Sequence, residues 1–376
     1  MSREAVTIRP VRAADAPLQT TLRPRLPVNI GLTLGPLRRG AGDPCMRAER
    51  ADVWWRATLT PAGPATARYA ARGAQVDVLA WGPGAEWCLA TAPELLGARD
   101  SLEGFAPDGL VARLHHAMPG LRITRSLAVF EALVPSILEQ KVAGAEARSS
   151  YRRMVRAWGT PAPGPPPPGP PPGHGRSMPA PGSARSGSMP APGSARSGSA
   201  RSGPSRGSAR SGSLPGSAGS GSGPGGPRPL ILPPGPEVLA AKPYWAFHGF
   251  GVEMRRTNAI RMAACHATRV EETVAMAPAE AHRRLRALPG VGPWTSAEVA
   301  LVALGDADAV SVGDYHLPHL VSWALAGEPR GTDERMLELL APYPGHRGRV
   351  LRLLSYSGLG APRFGPRMPL RSFTRF

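Results

Sequence analysis

The chain has 376 residues, 42% of them apolar, with 45 Lys and Arg against 27 Asp and Glu and a formal net charge of +18. This length and composition suit a soluble protein of two or three domains, and they exclude a helical membrane protein, since no run of about 18 apolar residues occurs. Three scattered cysteines, Cys45, Cys88 and Cys265, make neither a disulfide framework nor a CxxC metal site.

Residues 1–19 read as a loose N-terminus. The start, MSREAVTIRPVRAADAP, has no apolar secretory stretch, so a reducing cytoplasm is expected. Residues 20–92 read as β-rich. TLRPRLPVNIGLTL, ADVWWRATLT, ATARYAA and VDVLAW are short runs broken by Gly and Pro turns, which suggests a small antiparallel sheet of about four strands.

From Pro93 the texture turns helical. In RSLAVFEALVPSILEQK (125–141), Leu127, Phe130, Val134, Ile137 and Leu138 share one stripe. Thr124 suits the N-cap position, and Pro135 should kink the helix. A second helix is expected at about 145–158.

Residues 159–236 are Pro, Gly, Ser, Ala and Arg with little to bury, and SMPAPGSARSG stands twice in tandem at 177–187 and 188–198. Such a segment cannot offset its ordering entropy, so it is expected to be a disordered insertion within one helical domain spanning 93–158 and 237–360. The sequence predicts further helices at about 253–270, 278–288, 295–304, 316–326, 332–341 and 346–356. Residues 361–376 form a basic tail.

The charge is unevenly placed. The insertion carries seven Arg and no acid, and the tail four Arg and no acid, which leaves +7 on the remainder. A surplus of that sign points to a polyanionic partner. Only Lys141 and Lys242 are lysine, so a Schiff-base mechanism has two residues to choose from.

LPGVGPW (288–294) joins two of the predicted helices. Pro278 and Pro293 suit first-turn positions, where a missing N–H costs nothing. Two glycines let the backbone turn and approach another chain closely, and amides at a helix start attract anions. An αα-hairpin that merely turns gives the same pattern. In VSVGDYHLP, Asp314 stands before the next helix. It reads as an N-cap carboxylate or as an acid aimed into a cleft; the two roles are compatible.

Taken together, LPGVGPWTSAEVALVALGDADAVSVGDYHLP resembles the helix–hairpin–helix DNA glycosylases, within them the 3-methyladenine DNA glycosylase II branch. The Pro-Trp-Thr at the hairpin, the Asp-Tyr pair and the β-rich N-terminal segment carry the resemblance to the branch. ILEQKV (137–142) resembles the superfamily's Gln-containing helix end.

The resemblance implies an α+β protein: a small antiparallel sheet domain followed by an all-α glycosylase domain. It implies duplex DNA as partner, a monomer, base excision repair in a bacterial cytoplasm beside the nucleoid, and no catalytic metal or cofactor beyond a structural monovalent cation on hairpin carbonyls. Asp314 becomes the catalytic carboxylate. Trp294, Tyr315 and Gln140 line the base pocket. Gly290, Val291, Gly292, Thr295, His316 and Lys141 contact DNA.

Trp294 stands where bifunctional relatives place a Schiff-base lysine, which implies a monofunctional enzyme. An electron-poor alkylated purine suits an aromatic face. Two residues depart from the branch. Glu298 stands where another pocket aromatic can occur, and Lys141 stands near an apolar wedge position. The other readings are a glycosylase for hypoxanthine, uracil or an oxidised purine, and a non-catalytic helix–hairpin–helix DNA binder.

Overall fold

The computed structural model describes residues 16–168 and 228–362. Most of the expected insertion, nearly all of the tail and most of the loose N-terminus lie outside the described residues.

Five strands form one antiparallel sheet: β1 (Leu18–Leu22), β2 (Met46–Arg50), β3 (Val53–Thr60), β4 (Gly63–Arg72) and β5 (Gln75–Trp81), in the order β1-β5-β4-β3-β2. Alternation sorts their side chains between two faces. Trp54, Ala67, Tyr69, Val78 and Ala80 pack against the helices Ile30–Leu34 and Ala85–Leu95. Trp55, Ala57 and Trp81 lie in a second cluster with Leu230 and Leu232. Trp55 and Trp81 stack with centroids 5.4 Å apart.

Two sequence expectations fail here for local reasons. IGLTL, read within a strand, is a helix, because the Asn29 side chain caps it by accepting from the Leu32 amide at 3.0 Å. The change to helix comes at Ala85 rather than Pro93, which lies inside the Ala85–Leu95 helix.

The segment expected to be disordered from 159 to 236 is ordered at both ends. β6 (Thr160–Pro161) pairs with β7 (Ile231–Leu232), the Ala162 amide donates to Leu230 O at 3.0 Å, and Ile231 donates to Pro44 O at 2.9 Å. Leu230 and Leu232 are buried against the tryptophans. Three apolar residues, LIL, among prolines were enough to order this end.

The helical region has two cores. Val129–Leu138, Gly144–Trp158 and Met254–Cys265 build the first, with Leu285 from Pro278–Arg286. Gly109–Ala117, Leu317–Ala326, Asp333–Leu340 and Arg347–Tyr356 build the second. The helix Pro293–Val299, extended by a wide turn over Ala300–Leu304, serves both. Val299, Val302 and Ala303 face the first core; Ala297, Ala300 and Leu301 face the second. Its N-terminus therefore emerges where the two cores meet.

Thr124 does not cap the next helix. Its hydroxyl donates to Leu95 O at 2.7 Å, and the helix begins at Val129. Glu271 caps it instead, its carboxylate accepting from the Val129 and Phe130 amides at 3.0 and 2.8 Å. Pro135 lies inside Val129–Leu138, as its sequence position requires.

Sheet and helices meet through buried polar groups. Arg56 on β3 pairs with Glu131 at 2.9 Å. Nearby, buried Asp43 accepts from the Arg39 and Cys45 amides at 2.6 and 2.8 Å, and Cys45 meets the Tyr151 hydroxyl at 3.3 Å. Burial raises the Asp43 carboxyl from 3.8 to about 6. The folded state thus holds this proton more tightly than the unfolded chain. Its stabilising effect is complete below about pH 4 and disappears as pH rises through 6, a loss on the order of 2–3 kcal/mol. Melting temperatures of wild type and Asp43→Asn between pH 4 and 7 should differ in slope over that interval; parallel curves would show that Asp43 does not titrate there.

Candidate active site

The hairpin between Pro278–Arg286 and Pro293–Val299 is held from three sides. Gly290 has φ +87°, and a Cβ there would lie 2.7 Å from Ala259 Cβ, so both the turn and the packing demand glycine. The Val291 side chain is buried in the first core, and its amide donates to Leu288 O at 3.0 Å. Gly292 differs: a Cβ there would meet nothing within 4 Å, so its backbone faces open space.

Gln140, just beyond the Val129–Leu138 helix, secures the turn from outside. Its Nε2 donates to Gly290 O at 2.9 Å and to Thr295 Oγ1 at 2.8 Å. The next residue, Lys141, is exposed with φ +53°.

Asp314 precedes the Leu317–Ala326 helix, and its two oxygens are used differently. Oδ1 accepts from the His316 and Leu317 amides at 2.7 and 2.8 Å; the N-cap position itself is His316, so Asp314 secures the helix start from two residues before it. Oδ2 accepts from the Trp294 indole N–H at 2.9 Å. The loop itself is pinned by the Gly313 amide, which donates to Asp333 at 2.9 Å. The two motifs separated in sequence are thus in direct contact through Trp294 and Asp314. A carboxylate fixed by three donors on a half-buried surface can stabilise positive charge on a neighbouring group or orient a water.

Glu298 lies one helical turn beyond Trp294, so the two share a face. Glu298 is half-buried, and its Oε1 accepts from the buried Ser311 hydroxyl at 2.5 Å. Burial holds its carboxyl above the ordinary carboxylate range. The Ser311 bond and Arg352 oppose the shift, while Glu139 and Asp314 add to it.

Not every expected pocket residue is enclosed beside this group. Tyr315 is 79% exposed, with its ring edge-on to His316 at 5.0 Å and to His319 at 6.0 Å. His316 is exposed and contributes its amide to Asp314. Thr295 is buried and meets Gln140. Gln140 is engaged with the hairpin, and this bond ties the end of one helix to the start of another.

Sequence reasoning missed His282. Its Nδ1 lies 3.2 Å from Ser296 Oγ and its Nε2 lies 3.1 Å from Asp306 Oδ2, joining the two hairpin helices to the turn after Leu304. The trio has the residue types of a hydrolase triad, but Ser296 is 1% exposed and donates to Pro293 O, so it cannot meet a substrate. A histidine four residues into a polar helix carries no local signal of such partners.

In the hairpin, Leu288 O accepts from the Val291 amide and Gly290 O from Gln140 Nε2. Among the described residues no cluster of His, Cys, Asp and Glu could hold a metal ion.

Sheet, paired helical cores and hairpin together give a fold shared with solved DNA glycosylases. The 3-methyladenine DNA glycosylase from Archaeoglobus fulgidus superposes with a TM-score of 0.64 at 16% identity, over 90% of this chain and 98% of that one. The Clostridium acetobutylicum 8-oxoguanine glycosylase/lyase, in its apo-form, gives 0.58 at 11% identity over 91% and 99%. The same enzyme bound to double-stranded DNA with cytosine opposite 8-oxoG gives 0.56 at 11%, over 91% and 97%. No family model and no curated protein matches the sequence. No described helix is long and apolar enough to cross a membrane.

Proposed function

We propose that this protein is a monofunctional DNA glycosylase that hydrolyses the N-glycosidic bond of a modified purine flipped out of duplex DNA, with alkylated purines of the 3-methyladenine type as its first substrates. The observation that carries this reading is the Asp314–Trp294 hydrogen bond. It joins the hairpin, suited to a phosphate backbone, to the acid that chemistry at the sugar requires.

A base must leave the stack to be cut. As the bond from C1′ to the base nitrogen breaks, positive charge grows on the sugar, and the Asp314 carboxylate stabilises it and receives a proton from the attacking water. The amides of Gly290 and Gly292 are the groups that would meet a DNA phosphate, with Val291 as their buried anchor. Lys141, which follows the hairpin-bound Gln140, and His316, whose amide meets Asp314, are exposed and would add contacts to the DNA backbone. A monovalent cation on the remaining hairpin carbonyls would only reinforce a turn that is already closed. Among the described residues Asp314 meets the Trp294 indole and no amine, which supports hydrolysis without strand cleavage.

Purified protein incubated with methylated duplex DNA should free 3-methyladenine and leave abasic sites that break only on alkali treatment. Absence of base release from alkylated, deaminated and oxidised duplexes alike would reject the enzyme reading. Strand breaks that arise without alkali, together with borohydride trapping of the protein on DNA, would reject the monofunctional one.

A further inference from the structure

We infer that Glu298 is a second catalytic carboxyl of this site: it hands a proton to the departing base and so extends the reaction to purine lesions that are uncharged. The inference rests on the glycosylase reading above.

Ala297 and Val299 on either side are buried in the two cores, while Glu298 keeps partial exposure on the Trp294 face of the helix. One carboxyl oxygen, Oε1, is fixed by Ser311; Oε2 accepts no hydrogen bond from the described residues. Asp314 follows Ser311 by three residues, so two acids stand on one short loop and the helix beside it. Their surroundings are opposite in kind. Asp314 is surrounded by N–H donors, which suit an anion. Glu298 has one hydroxyl donor, burial, and the negative charges of Glu139 and Asp314 against the single positive charge of Arg352. Paired carboxyl groups whose environments push them apart in this way divide the work of base and acid.

An alkylated purine that already carries positive charge leaves readily once the sugar cation is stabilised. A neutral purine takes the bonding electron pair with it and needs a proton. In the inferred step the C1′–N9 bond breaks and the electron pair goes to the purine ring. The Glu298 proton moves to a ring nitrogen of that base. Water adds to C1′ and releases its proton to Asp314. Glu298 is left as a carboxylate and regains its proton from solvent.

The test compares single-turnover release of hypoxanthine, a neutral base, with that of 7-methylguanine, a cationic one, for wild type and Glu298→Gln. Gln keeps the size and hydrogen bonding but has no proton to give. The hypoxanthine to 7-methylguanine rate ratio should fall about 100-fold in the variant. In wild type, hypoxanthine release should decline with rising pH more steeply than 7-methylguanine release. The charged and titrating groups facing Glu298 are Asp314 from the loop, Glu139 from the end of the Val129–Leu138 helix and Arg352 from Arg347–Tyr356.

An unchanged ratio, or equal losses on both bases, overturns the acid role. Wild-type release of 7-methylguanine without hypoxanthine overturns it too, while leaving the glycosylase reading intact. A protein that frees neither base, nor any other, overturns that reading and this inference together.

Discussion

Replacing Asp314 with Asn should lower the single-turnover rate of base release by roughly 10³-fold, the scale seen when one preorganised electrostatic group is removed from a transition state. Binding to the same duplex should change little. The reason lies in the two oxygens. The Asn carbonyl can still accept from the His316 and Leu317 amides, so the helix start survives. The amide nitrogen replaces the oxygen that faces the Trp294 indole, and two N–H donors then oppose each other. The negative charge is gone while the fold remains. Turnover measured with excess enzyme, alongside binding at fixed salt, separates the two effects. A variant with near-normal turnover would remove Asp314 from the chemistry; one that loses binding and turnover equally would reduce it to a support for the helix start.

Asp100→Ala should cost about 3–5 kcal/mol of stability, the largest loss we expect from a single side chain. Arg349 is 1% exposed and forms a bidentate pair with Asp100. Arg122, also buried, lies 4.0 Å from the same carboxylate. Removing the acid leaves two buried guanidinium groups without a counter-charge, and neither can shed its proton. The exposed ion pairs of Arg335 with Glu328 and Glu338 are the contrast: screened by solvent, they should tolerate Arg335→Ala with little change. Chemical denaturation of both variants checks the comparison; similar midpoints would show that burial does not set the difference.

The Asp100 pair also bears on the site. Arg349 donates its amide to Ala307 O at 2.9 Å, and Arg347 pairs with Asp308. The helix anchored by Asp100 therefore holds the stretch that leads to Asp314. Loosening that helix should degrade catalysis before the protein unfolds.

The sequence made some of this legible and hid the rest, for physical reasons. Helices with an apolar stripe or a leading proline, such as Pro278–Arg286 and Pro293–Val299, announce themselves through local periodicity and caps. Strand β2, MRAER, does not, because its pairing with β3 lends it an order that its own polar residues lack. Thr124 looked like a cap because caps are usually local; the true cap, Glu271, lies 142 residues from Val129 in sequence. At the site, the hairpin and Asp314 were visible as motifs. Their joining through the Trp294 indole, the seating of Glu298 on Ser311 and the outward turn of Tyr315 depend on how the two cores fit together. No window of sequence contains that fit.

The short β6–β7 clasp has a consequence for how this chain can change over generations. Its two strands fasten the points where the repeat-bearing stretch leaves and rejoins the fold, and Leu230 and Leu232 seal them against Trp55 and Trp81. Copying errors that add or remove an SMPAPGSARSG unit fall between these two strands in sequence. They leave every residue of the clasp, and of the hairpin and Asp314, in place, so the number of repeats can change without touching a contact of the site.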